Sequence, residues 1–134
     1  MFNQLHNDAM GKLLLRFTVA GLMLFHGFAK VLNPGSLNYI GTQLSAMGMP
    51  AVFSYGVYIG EIIAPLMILI GYKSRIGGLL IAANMIVAIV LSHSGDIFSL
   101  SKHGGYGLEL QAFYLLGGLT IVLLGSGKYA IDPD

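Results

Sequence analysis

The sequence predicts an all-α integral membrane protein, a four-transmembrane-helix antiparallel bundle with a short amphipathic helix in the first external loop. Three observations predict it. Of the 134 residues, 55% are hydrophobic and only 10% are charged, and the mean hydropathy is +0.76. Soluble domains carry roughly 25% charged residues. Four apolar windows, at 13–32, 51–71, 76–92 and 107–125, approach the ~20 residues that a helix needs to cross a bilayer. Finally, the basic residues divide unequally between the two sides that four spans define.

The first window, 13–32, contains Arg16, and no small-residue cleavage site follows it. It therefore reads as a span rather than a removable leader. Asn33-Pro34-Gly35 stops it. Between there and Gly48-Met49-Pro50, Leu37, Ile40, Leu44 and Met47 recur at helical spacing. That stripe predicts a short helix on the outer surface, lidding the bundle. Span two, 51–71, carries Gly56, Gly60 and Ala64 every fourth residue, and Pro65 can kink it one turn below Glu61. A tight turn around Tyr72–Arg75 leads to the third window, 76–92, where Gly78 and Ala82 repeat the small-residue spacing. Such spacing lets helix backbones approach closely in lipid. Packing within one bundle is the favoured use, with a homodimer face as the second. A polar, glycine-rich loop, 94–106, leads to the fourth window, 107–125. With no polar exit for the backbone, helix is the state open to each window.

Four spans place the N-terminus, the middle loop and the C-terminus on one side, which holds Lys12, Arg16, Lys73, Arg75 and Lys128. The other side holds Lys30 and Lys102. The positive-inside rule then makes both termini cytoplasmic, and residues 1–134 form one membrane domain. A net charge of +1 with no basic tract argues against a nucleic-acid partner. The chain has no cysteine, which excludes disulfides, thiolate metal sites and dithiol redox chemistry.

Ionisable groups at membrane depth cost roughly 2.5–3.5 kcal/mol each on insertion scales and therefore face the bundle interior. Here they are Arg16, His26, Lys30, Glu61 and Glu109, with Asn84 as a further polar group. At about 100° per residue, Lys12, Arg16, His26 and Lys30 fall within an arc of about 80° on the first helix. With a rise of about 1.5 Å per residue, His26 and Glu61 lie at matching depths, about 21 and 18 Å from the cytoplasmic edge. Glu61 is therefore expected to pair with His26 or Lys30 in a polar cavity open to the outer leaflet. Arg16, about 6 Å from the inner edge, is too low to reach it. The bland alternative is an ion-pair network that only fixes helix packing. His26 and His93 are weak candidates for haem ligation, and His26, Glu61 and Glu109 have no metal-ligand spacing. No nucleophile motif or phosphate loop is present.

Several short motifs recur in order: Arg16 with His26-Gly27-Phe28-Ala29-Lys30, then Gly48-Met49-Pro50, Gly60-Glu61 and Gly71-Tyr72-Lys73-Ser74-Arg75. Gly104-Gly105 upstream of Glu109 follows, and then the run from Gly125 to Asp132. Together, from Arg16 to Asp132, the chain resembles the DoxX family of small bacterial inner-membrane proteins. The resemblance implies a multi-pass inner-membrane protein associated with respiratory or quinone-dependent oxidoreductases. On that reading His26, Lys30, Glu61, Asn84 and Glu109 bind a quinone head-group or relay its protons, and Arg16 makes a polar contact on the inner side. A membrane-associated oxidoreductase would be the partner. Two alternatives stand beside it: a small-molecule or proton carrier, and a non-catalytic scaffold for partner enzymes.

Overall fold

The structure is a computed structural model and describes residues 2–134. It is all-helical among those residues, with two isolated β-bridges and no strand. After a short 3-10 turn, five helices follow: α1 (Asp8–Leu32), α2 (Gly35–Ala46), α3 (Ala51–Ile70), α4 (Ser74–Asp96) and α5 (Glu109–Leu124).

α1 starts five residues before its apolar window because Asn7 caps it. The Asn7 side chain accepts a hydrogen bond from the Met10 amide at 3.0 Å, satisfying one orphan donor of the first turn. Asp8 and Lys12 then pair one turn apart at 2.8 Å. Its buried residues are Arg16, Val19, Ala20, Met23 and Gly27, a stripe at three- and four-residue spacing.

α3 ends in Gly71, whose φ of +77° is a left-handed cap that glycine adopts without a steric penalty. Its amide and that of Tyr72 donate back to Met67, the latter at 2.8 Å. The turn is so short that α4 folds straight back along α3. α5 begins at Glu109, two residues inside its apolar window.

α1, α3, α4 and α5 pack as a ring: α1 on α3, α3 on α4, α4 on α5, and α5 back on α1. α3 and α5 therefore stand on a diagonal. Inside lie Val19, Ala20, Met23, Ala64, Ile68, Ile81, Met85, Tyr114 and Ile121. α4 and α5 cross glycine on glycine. A Cβ at Gly78 would sit 2.5 Å from the Gly118 carbonyl oxygen, and one at Gly118 would sit 2.7 Å from that of Gly78. Apolar area gives helices little reason to associate in lipid, so such close backbone contact is what holds them.

α1, α3 and α4 are long and apolar enough to cross a membrane; α5, at 16 residues, is shorter. The large side chains that the ring leaves outside, such as Leu14, Phe25, Leu79, Phe113 and Leu123, give it an apolar girdle. This is a multi-pass membrane protein.

α2 runs along the start of α3, burying Gly41 and Leu44. At the opposite end, residues 125–134 lie across the α3–α4 turn. The Ile131 amide donates to Ile70 and the Asp132 amide to Gly71, each at 3.1 Å. Arg75 donates to the Val122 carbonyl at 2.8 Å and to the Asp134 carbonyl at 3.1 Å.

Candidate functional site

Two helices depart from regular winding next to the polar residues. In α3, Ile59–Ile63 forms a π-bulge, with the Ala64 amide bonded back to Ile59. Pro65 has no amide to offer the Glu61 carbonyl, so the regular ladder is already broken at that point. In α4, Ile89–His93 forms a second π segment. Such bulges re-aim side chains and are frequent at functional sites.

The Glu61 backbone carbonyl, deprived of its helical donor, faces Gly27 of α1. A Cβ there would overlap that oxygen and come within 2.7 Å of the Ile62 side chain. Gly27 thus lets α1 press directly onto the bulge, and this approach brings Lys30 into reach. Lys30 Nζ donates to Glu61 Oε1 at 2.6 Å. From the other side, Asn84 Nδ2 donates to Glu61 Oε2 at 2.9 Å. Gly60 makes room for this second contact, since a side chain at 60 would overlap the Asn84 side chain. Glu61 is 4% exposed, and each of its oxygens has a donor. The pair carries no net charge, which is how a carboxylate is accommodated at this depth.

The four helices and α2 surround a cavity of about 1090 Å³. His26, Lys30, Glu61, Asn84, Gln111 and Tyr114 line its polar part, while Met23, Ile40, Leu44, Met47, Met49 and Phe53 supply apolar wall. The helix 35–46 therefore does roof a hollow. Ligand cavities typically run about 300–1,000 Å³ and combine apolar walls with a few convergent polar groups.

His26 is one turn before Lys30 on the same face of α1. Its ring meets Tyr114 of α5 edge-on, with centroids 5.6 Å apart and planes at 88°. Of the two expected partners of Glu61, Lys30 takes the contact and His26 turns to the aromatic ring. Four of the sequence-derived candidates, His26, Lys30, Glu61 and Asn84, thus gather in one cavity.

Glu109 lies apart from them. It is exposed in the first turn of α5, where its carboxylate nestles against Gly105. Arg16 is also elsewhere, 1% exposed at the other end of α1. Its Nε donates to Ile68 at 2.9 Å and its Nη2 to Leu69 at 3.1 Å, both backbone carbonyls at the end of α3. Its Nη1 donates to the carbonyls of Ser126 and Tyr129 at 2.9 and 2.7 Å. The guanidinium thereby ties α1, α3 and the C-terminal segment together. His93 pairs with Asp96 at 3.5 Å. Among the described residues, no group of three or more His, Cys, Asp or Glu is placed to hold a metal ion.

Tyr114 was not evident as a site residue from sequence. A lone tyrosine within an apolar span is ordinary, and only its position five residues beyond Glu109 and three beyond Gln111 could have drawn notice.

Residues 11–94, more than half of the chain, match the model of a protein family described as DoxX. A Bacillus subtilis (strain 168) protein named "Putative oxidoreductase CatD" is 28% identical over 125 residues, covering 92% of this chain and 86% of the relative. No solved structure matches. The stretch matched to the family runs from the start of α1 through the Lys30–Glu61–Asn84 cluster, and the chain belongs to the DoxX family.

Proposed function

We propose that this protein is a membrane subunit or accessory factor of a quinone-linked oxidoreductase system, and that its cavity receives the quinone head-group. All four ring helices cross the membrane in this reading, with both termini cytoplasmic in the bacterial inner membrane. One observation carries it: Glu61, buried and bridged by Lys30 and Asn84, borders a mostly apolar cavity of about 1090 Å³. A cluster serving only to pin helices would be packed over on every side. The name of the relative, a "Putative oxidoreductase", lends support to a redox setting.

The residues fit the group. Room and apolar lining suit a substituted ring with the first part of a lipid tail, and the polar groups converge on the same cavity. A quinone supplies two-electron, two-proton chemistry when bound. Lys30 holds three donors and spends one on Glu61, which leaves two for a head-group oxygen. A proton taken up by Glu61 would remove the charge that Lys30 balances and loosen the hold of both donors on the carboxyl. Proton movement and head-group binding are thereby linked through the same two donors. His26, on the same face of α1 as Lys30 and packed against Tyr114, would border the head-group.

The test is mass spectrometry and an absorption spectrum of gently purified protein, wild type beside Glu61→Gln. Quinone should accompany the wild type and be depleted in the variant. A wild type that carries no quinone and takes up none when it is added refutes the reading.

A further inference from the structure

Each helix of the ring places a polar side chain on the cavity. They are His26 and Lys30 from α1, Glu61 from α3, Asn84 from α4, and Tyr114 from α5. These groups fall into two stations. In the first, Lys30, Glu61 and Asn84 are bonded to one another. In the second, the His26 and Tyr114 rings pack edge-on, and their polar atoms are unspent. Among the described residues, neither the Tyr114 hydroxyl nor a His26 ring nitrogen has a hydrogen-bond partner, whereas the Tyr106 hydroxyl donates to the Ile97 carbonyl. Nor is the Tyr114 hydroxyl sealed in. The one sealed and unbonded side-chain atom among the described residues is the Ser74 hydroxyl, away from this cavity. Tyr114 itself is 8% exposed and lines the cavity. Buried tyrosine hydroxyls usually find a partner, and here the partner would have to come from the cavity contents.

The anchors of the two stations, Glu61 and Tyr114, stand on different helices. Glu61 belongs to α3 and Tyr114 to α5, which are diagonal in the ring, and His26 leans toward Tyr114. A ligand touching both must carry two polar atoms separated by a flat or slender apolar body. A head with a single polar end, such as that of a fatty acid or a simple ketone, would satisfy one station and leave the other bare.

We infer that the Tyr114 hydroxyl, positioned by its contact with His26, is the second anchor of the ligand. It selects for a ring bearing two opposed hydrogen-bond acceptors, as in a 1,4-dicarbonyl. This deepens and rests on the reading of the cavity as a quinone site. It adds that Tyr114 sets specificity for the head-group, while Lys30 and Asn84 hold the nearer oxygen.

The experiment is binding by isothermal titration calorimetry to the full chain in nanodiscs. The probes are a decyl-substituted 1,4-benzoquinone and, as a single-acceptor control, a decyl-substituted phenyl ketone. Tyr114→Phe removes one hydroxyl and keeps the ring against His26, so the fold should survive, and an unchanged melting temperature verifies that. Loss of one neutral hydrogen bond should weaken the benzoquinone about five- to tenfold. The ketone should change less than twofold. Glu61→Gln should weaken both probes. Unchanged benzoquinone affinity in Tyr114→Phe, with Glu61→Gln still weakening it, overturns the second anchor and leaves the quinone reading standing. Equal weakening of both probes by Tyr114→Phe also overturns it, because the hydroxyl would then not discriminate. No binding of the benzoquinone to the wild type removes both readings.

Discussion

Replacing Lys30 with methionine asks how the membrane-embedded carboxylate is tolerated. Methionine approximates the volume and flexibility of the lysine stem and removes only the ammonium. Glu61, whose side chain is 5% exposed, would then keep its Asn84 contact and lose its countercharge. Stripping the partner from a fully buried charge costs about 3–5 kcal/mol. Two features reduce that here. Asn84 still donates to Oε2 at 2.9 Å, and the carboxylate borders a cavity from which water can reach it. We therefore expect Lys30→Met to destabilise the protein by about 2–3 kcal/mol. Adding Glu61→Gln should restore most of this, because the glutamine oxygen can still accept from Asn84 and no buried charge is left. The double variant should lie within about 1 kcal/mol of wild type, giving a coupling of about 2 kcal/mol. Reversible unfolding by SDS titration in mixed micelles reads these differences directly. If the double variant is as unstable as the two single variants added together, Lys30 and Glu61 are not energetically coupled, and the account of the buried pair fails.

Three further outcomes follow from the same packing. Arg16→Met deprives four backbone carbonyls of their donor; a loss of about 2–4 kcal/mol is expected, and amide exchange at Ile131 and Asp132 should accelerate before that of the helices. Gly27→Ala drives a methyl into the Glu61 carbonyl and should cost about 1–3 kcal/mol. The displaced bulge should weaken benzoquinone binding as well, so melting and calorimetry on one sample check both. Gly71→Ala forces a side chain into a left-handed turn at about 1–2 kcal/mol and also crowds Ala130, which a lower melting temperature would register.

Much of the site could be read in advance because helical periodicity is rigid. Arg16, His26 and Lys30 share a face of α1 for the geometric reason that also places Ala20, Met23 and Gly27 there. The depth argument likewise separated Arg16 from Glu61. Lys30 and His26 could not be ranked as partners of Glu61, since that choice depends on how closely Gly27 lets α1 approach a bulge whose winding has no signature beyond Pro65. The acceptors of Arg16 were invisible because they are backbone carbonyls, which every residue possesses. Glu109 looked like a cavity group from its depth alone, but α5 begins at that residue, and its exposed carboxylate lies against Gly105 while Gln111, two residues on, lines the hollow. Tyr114 escaped notice because its role depends on two neighbours, His26 and the cavity, that belong to other helices.

The clamp around Arg16 also bears on how the protein is made. Helix α1 enters the membrane with a guanidinium that needs carbonyl partners. Ile68 and Leu69 arrive with α3, but Ser126 and Tyr129 emerge only after all four ring helices have been synthesised. Until then the arginine has only two of its four carbonyl acceptors. A chain cut after Leu124 would hold every helix and the whole cavity, yet remain in that unfinished condition. The segment 125–134 thus acts as a closing stitch, and its docking marks the moment at which the earliest-inserted charge is finally accommodated.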